Sequence, residues 1–285
     1  MDRHTLYGIT SIGRPLDKRF PTNRAVSRLM PVVGVAAAAA ALIRGDAALQ
    51  VALAGAAGIL LVFGAWALAR ELAPDDNPAA FVSMAFGFVA LPLVAPMSLL
   101  VLFTTMFLVR IVNRSTGLPA RTTDSVVVTL LVFVVMYLTK TPLFGVVAVL
   151  AFVLDAYLES PLRRQWVFAG LCLFGVAASV TLLDVTIGAP SFMNSTVALL
   201  LLAIGVAYLV TLFQTRSLQS RGDVTDDRLS VPRVRAGMLI ALLVVLQALA
   251  VGESGLSHAS AVWATLAGVS TTAVVVGLWR KAVSR

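Results

Sequence analysis

The sequence predicts an all-α fold, a polytopic bundle of about ten transmembrane helices with both ends on the same side. Three observations predict it. Of 285 residues, 59% are hydrophobic and 13% charged, whereas soluble domains carry about 25% charged residues. The mean hydropathy of +0.93 reflects more apolar side chain than a water-soluble fold can cover. Charge-free runs recur at 47–69, 79–109, 165–183, 185–215 and 254–279, and roughly 20 apolar residues suffice to cross a hydrocarbon core about 30 Å thick.

Cutting at the polar breaks gives spans at 29–43, 47–69, 78–92, 95–110, 125–139, 142–157, 165–183, 192–213, 236–252 and 259–279, one helical domain over 29–279. The first two spans are rich in small residues, among them Gly34, Ala36 to Ala41, Gly55 and Gly58. Such residues let helices approach closely in lipid. The run 79–109 would be about 46 Å long as one helix, too long for a single ordinary crossing. Pro92 and Pro96 break it, leaving either two short crossings or a re-entrant pair. Residues 125–157 pose the same alternative at Lys140-Thr-Pro142, where Lys140 can snorkel to the surface. The count is therefore eight to ten.

Cap chemistry marks the boundaries. Asn77-Pro78, Thr141-Pro142 and Ser160-Pro161 each place an N-cap residue before a proline suited to the first helical position. Asp124 is placed to cap a helix opening at Ser125. The loop 214–235 mixes both charge signs with Gly and Ser, as a flexible connector between two helical groups does.

Charge sets the orientation. Twenty of the 22 Lys and Arg residues fall in alternate segments: 1–28, the loops near 70–77, 110–124, 155–164 and 214–235, and the tail 280–285. Only Arg44 and Lys140 lie in the others. Because basic residues anchor helices at the cytoplasmic face, both termini are expected in the cytoplasm of a cell membrane, that of a prokaryote given the wealth of Ala, Val and Arg. Lipid bilayer, not nucleic acid, then accounts for a pI near 10.5. The first 28 residues are too polar for a signal peptide core. Cys172 is the single cysteine, and His4 and His258 lie at opposite ends, so no Cys/His spacing suggests zinc or iron.

Eleven of the 14 acidic residues share the cytoplasmic segments, which makes that mouth the place to look for chemistry. If helix continues through each segment, Asp155 and Glu159 fall on one face, as do Glu71 and Asp75 until Pro74 disturbs the turn. Asp75, Asp76, Asp155 and Glu159 are thus candidate ligands for Mg²⁺, a hard cation often shared with substrate phosphates. Arg70, Arg110, Arg114, Arg163 and Arg164 are candidate phosphate clamps. The plain alternative is that the acids solvate loops and the arginines anchor spans in the headgroups.

Acidic motifs in the loops after the second and sixth spans resemble the arrangement of UbiA-type intramembrane prenyltransferases. The resemblance implies Mg²⁺ and a prenyl diphosphate bound by those loops. The motifs differ from that family's. Its first has an Asn and two Asp at four-residue intervals, where this chain has Arg70-Glu71 and Asp75-Asp76. Its second has two aspartates four apart, where this chain has Asp155 and Glu159, and it has nine spans.

The leading expectation is a membrane-embedded enzyme acting on a phosphate- or diphosphate-bearing lipid at the cytoplasmic face. A transporter or permease for a neutral or apolar solute is one alternative, since the proline-broken hairpin at 91–96 can line a path. Few polar groups lie in the spans, among them Thr129, Asn194 and Gln247. A non-catalytic assembly or sensory protein is another.

Overall fold

The structure, a computed structural model, describes residues 7–93, 96–182 and 195–283. Asp184 and Asn194 lie outside the described residues. Among the described residues ten helices of more than ten residues follow in order: α1 (Pro21–Ile43), α2 (Ala48–Leu72), α3 (Asn77–Ala90), α4 (Pro96–Asn113), α5 (Thr122–Thr139), α6 (Pro142–Tyr157), α7 (Gln165–Leu182), α8 (Ser195–Gln214), α9 (Val231–Val251) and α10 (Glu253–Val283). The chain is a multi-pass membrane protein: seven of these helices are long and apolar enough to cross a bilayer. The shorter three are α3, α4 and α6. At 14 residues, α3 is about 21 Å long.

The predicted segments become helices that run past their apolar cores. α1 starts at Pro21 rather than residue 29 and carries Arg24 and Arg28 within it, with proline at its start. α10 continues to Val283, so residues 280–283 belong to the helix and not to a separate tail. Charge ends an apolar run but does not end a helix, because Arg and Lys are good helix formers.

The run 79–109 folds as two helices. A 3₁₀ turn at Leu91–Leu93 separates α3 from the region of α4. Both helices pack against α2 and α10. The Ser83 hydroxyl donates to the Thr265 carbonyl at 3.0 Å, and Ser98 Oγ accepts from the Ala261 amide at 3.0 Å. At the second break Lys140 adopts φ 53°, which ends α5 in a left-handed turn.

α10 sits at the centre, against α2, α3, α4, α8 and α9. α5, α6 and α7 form a second group joined to the first through α4 and α9. α1 packs on α2 at the small residues: a Cβ on Gly55 would stand 3.2 Å from the Gly34 carbonyl oxygen. Polar residues within the spans are largely satisfied by their own helices. Thr104, Thr105, Thr129, Thr265, Ser270 and Thr272 each bond the carbonyl four residues back, as lipid requires of buried hydroxyls. Gln247 Oε1 is an exception, buried without a partner among the described residues.

Three boundary expectations are corrected. α3 is capped by Asp76, whose carboxylate accepts from the Ala79 amide at 3.3 Å, so Asn77 is already helical. Ser160-Pro161 does not start a helix; α7 begins at Gln165, and Ser160 has φ 55° in a loop whose Leu162 amide donates back to the Asp155 carbonyl. Asp124 lies inside α5, one turn past the N-cap.

Candidate functional site

The N-terminal segment and the loops near 70–77, 110–124, 155–164 and 214–235 meet at one end of the bundle, where two buried carboxylates organise the contacts. Both stand near a helix C-terminus, an end whose dipole disfavours negative charge, so each needs cations. Glu71, in the last turn of α2, takes Arg14 Nη1 and Arg110 Nε on Oε1, both at 3.0 Å. Asp155, near the end of α6, takes Arg114 Nη2 at 2.7 Å and Arg233 Nη1 at 2.8 Å on Oδ1. Its Oδ2 accepts from Gln165 Nε2 at 2.9 Å, and Gln165 is held in turn by Ser125. Arg233 also donates to the carbonyls of Val112 and Glu159. Both carboxylates are fully buried, and such ions persist only when paired and hydrogen-bonded.

The N-terminal segment crosses this end as a strap. Asp124 holds it: Thr10 Oγ1 donates to Oδ1 at 2.5 Å, and the Ser11 amide and hydroxyl donate to Oδ2 at 2.9 and 2.7 Å. The same oxygen accepts from the Arg121 amide at the start of α5. Arg14 then reaches Asp223 with Nε and Nη2, at 2.6 and 2.8 Å. Burial alone would lower the Arg14 pKa, and the carboxylates of Glu71 and Asp223 raise it instead. Arg14 stays charged.

The loop 214–235 is not a free connector, contrary to its composition. Residues 220–229 form a tight hairpin closed by a bridge between Arg221 and Arg228 and by the Leu229 amide on the Ser220 carbonyl. Asp75 accepts from the amides of Gln219 and Ser220 at 2.8 and 2.7 Å. The Val224 amide donates to the Thr116 carbonyl. At the crossing of the two loops Gly117 has φ 85°, and a Cβ on Gly222 would press on its backbone. Of its charges, Asp223 and Arg233 pair with other segments, and Arg221 and Asp226 pair within the hairpin.

Between strap, hairpin and α2 lies a cavity of about 360 Å³. One face of α2 forms its wall. Phe63, Trp66, Ala67 and Arg70 recur at helical spacing and line it, with Phe20 and Leu16 opposite. Phe63 stacks on Trp66 at 6.3 Å. The charged lining consists of Arg14, Arg70, Arg110 and Arg221 with Asp17, Glu71, Asp223 and Asp226. From Phe63 to Glu71 the wall rises about 12 Å, passing from aromatic to charged. Trp66 is buried, and its Nε1 has no hydrogen-bond partner among the described residues.

The predicted site residues separate. Arg70 and Arg110 line the cavity. Arg114 belongs to the Asp155 centre. Arg163 is exposed, and Arg164 bonds the Ala120 carbonyl. Asp75 holds the hairpin, Asp76 caps α3, and Asp155 is taken by two arginines and Gln165. Glu159 does not share a helix face with Asp155: α6 ends at Tyr157 and Leu158 is extended, leaving Glu159 in the loop. Among the described residues no three His, Cys, Asp or Glu side chains gather to hold a metal ion. The Mg²⁺ expectation thus finds no shared donor set there. Arg14, Trp66, Glu71, Arg221 and Arg233 were not among the candidate site residues. Glu71 adjoins Arg70 in a charged motif, but a tryptophan within an apolar run has no local signal.

No protein-family model, curated protein or solved structure matches the chain.

Proposed function

We propose that this multi-pass membrane protein binds a phosphate-bearing lipid, its head in the cavity beside α2 and its chains toward the bilayer. The observation that carries the reading is the graded wall of that cavity, from Phe63 and Trp66 to Arg70 and Arg110. Ligand pockets of about 300–1,000 Å³ are commonly apolar with a few placed polar groups, and guanidinium is suited to phosphate. The reading uses the predicted clamps Arg70 and Arg110. It does not use Asp76 or Asp155, already committed to a helix cap and an ion centre.

In this reading the cavity faces the cytoplasm, all ten helices traverse or enter a cell membrane, and both termini are cytoplasmic. The basic bias of the alternate segments and their mutual contacts at one end support it. Single cysteines in a Cys172→Ser background test the orientation in intact cells with an impermeant thiol reagent. Asp46→Cys is expected to label, and Asp76→Cys and Glu159→Cys only after lysis; the reverse pattern would overturn it.

Binding is tested by native mass spectrometry of protein extracted in mild detergent. A retained phosphate-bearing lipid is expected, lost in Ala67→Phe, which fills the cavity, and kept in Gly170→Ala, where a Cβ meets nothing within 4 Å. Equal retention in both variants, or none in the unaltered protein, would sink the reading.

A further inference from the structure

We infer that the cavity selects a monoanionic phosphodiester headgroup, held by Arg70 and Trp66, over diphosphates and phosphomonoesters. This rests on the lipid-binding reading above and names the charge of its ligand.

Four guanidinium groups and four carboxylates line the cavity, so its formal charge is balanced. Three of the cations are paired: Arg14 with Glu71 and Asp223, Arg110 with Glu71, and Arg221 with Asp226. Asp17 is paired with Arg19 from outside the lining. Among the described residues Arg70 is the one lining guanidinium in no ion pair. Its Nη1 donates to the neutral side chain of Asn77, which leaves Nε and Nη2 for a ligand. A guanidinium presents those donors as a planar fork that fits two oxygens of one phosphate.

Trp66 stands four residues before Arg70, one turn deeper on the same face of α2. Its indole N–H is an unsatisfied buried donor, and such a group carries a desolvation penalty that an acceptor oxygen removes. A phosphodiester meets the first requirement with its single negative charge, neutralised by Arg70, and the second when the Trp66 ring turns its covered N–H toward the cavity that the residue lines, where an ester or phosphoryl oxygen accepts it. The lipid glycerol and first methylenes then contact Phe63, Leu16 and Phe20. A diphosphate or monoester brings further negative charge beside Glu71 and Asp223, whose arginines are already engaged. A neutral diacylglycerol leaves Arg70 unpaired.

The full-length protein in neutral detergent is titrated calorimetrically with four short-chain probes: dihexanoyl phosphatidylglycerol, dihexanoyl phosphatidate, geranyl diphosphate and dihexanoylglycerol. Phosphatidylglycerol is expected to bind at least about tenfold more tightly than the other three. Arg70→Gln is expected to weaken it about tenfold and Trp66→Phe about threefold, with Arg70→Lys between the unaltered protein and Arg70→Gln. Gel filtration and thermal melting establish that each variant is folded. Tighter binding of phosphatidate or geranyl diphosphate overturns the selectivity and leaves the lipid-binding reading standing. Equal binding of dihexanoylglycerol, or unchanged affinity in folded Arg70→Gln, overturns the role of Arg70. Binding of none of the four overturns both.

Discussion

Arg110 and Arg114, joined by a backbone hydrogen bond of 3.0 Å at the end of α4, divide the two buried carboxylates of this bundle between them. Arg110 takes Glu71 at the end of α2, and Arg114 takes Asp155 at the end of α6. One helix terminus thereby ties together helices far apart in sequence. Asn113, between them, donates to the Glu71 carbonyl at 2.8 Å and completes the end of α2.

Removing one anion from such a centre leaves cations buried. Asp155→Ala strands Arg233, 4% exposed, and is expected to cost about 3–5 kcal/mol, the usual penalty for breaking a buried pair from one side. Glu159→Gln changes an exposed side chain and should lie within about 0.5 kcal/mol of the unaltered protein. Thermal melting in detergent compares the two. Equal melting temperatures for Asp155→Ala and the unaltered protein would contradict the assignment.

The strap over the cavity depends on Asp124. Its carboxylate accepts three bonds from Thr10 and Ser11, and bonds to a charged acceptor contribute about 1.5–3 kcal/mol each. Asp124→Ala should therefore raise tryptic cleavage after Lys18 by at least about tenfold. Cleavage at the rate of the unaltered protein would show that the strap is held elsewhere.

Acid should loosen the hairpin at 220–229. Partial burial of Asp75 would raise its pKa, but bonds from the Ser220 hydroxyl and the Gln219 and Ser220 amides outweigh this and hold it below the ordinary carboxylate value. Because the folded value lies below the unfolded one, the stabilisation is present at neutral pH and is lost as pH falls through the folded pKa. Proteolysis of the hairpin is expected to rise below about pH 4 and to be high in Asp75→Asn at pH 7. Identical profiles for the two proteins would exclude Asp75 as the tether.

Close helix contact is testable at Gly268. A Cβ there would fall on the Ser83 backbone, which no side-chain rotation relieves, whereas one at Gly277 meets nothing within 4 Å. Gly268→Ala should destabilise by about 1–3 kcal/mol through overpacking of α10 on α3. Gly277→Ala should be neutral or gain up to about 1 kcal/mol from helix propensity. The order of their melting temperatures decides the matter.

The positions of the helices were legible in the sequence because lipid demands long apolar segments with internally satisfied backbone. α6 appears at 142–157, and the breaks at Pro92 and Lys140 fall where proline and charge interrupt the apolar runs. Alternation of basic segments grouped the N-terminal segment with four loops, and contacts such as Arg14 to Asp223, Thr116 to Ser11, Asp75 to Gln219 and Arg114 to Asp155 join these five. Partners were decided only by the tertiary structure. Asp155 reads as a carboxylate at the end of an apolar run whether it binds a metal or an arginine. Its neighbours Arg114 and Arg233 lie 41 and 78 positions away, beyond any local period. The same holds for Arg14 and Asp223, 209 positions apart. Hydrophobic length fixes where a chain crosses lipid, but pairing of buried charges at the end of the bundle requires the packing that brings distant segments together.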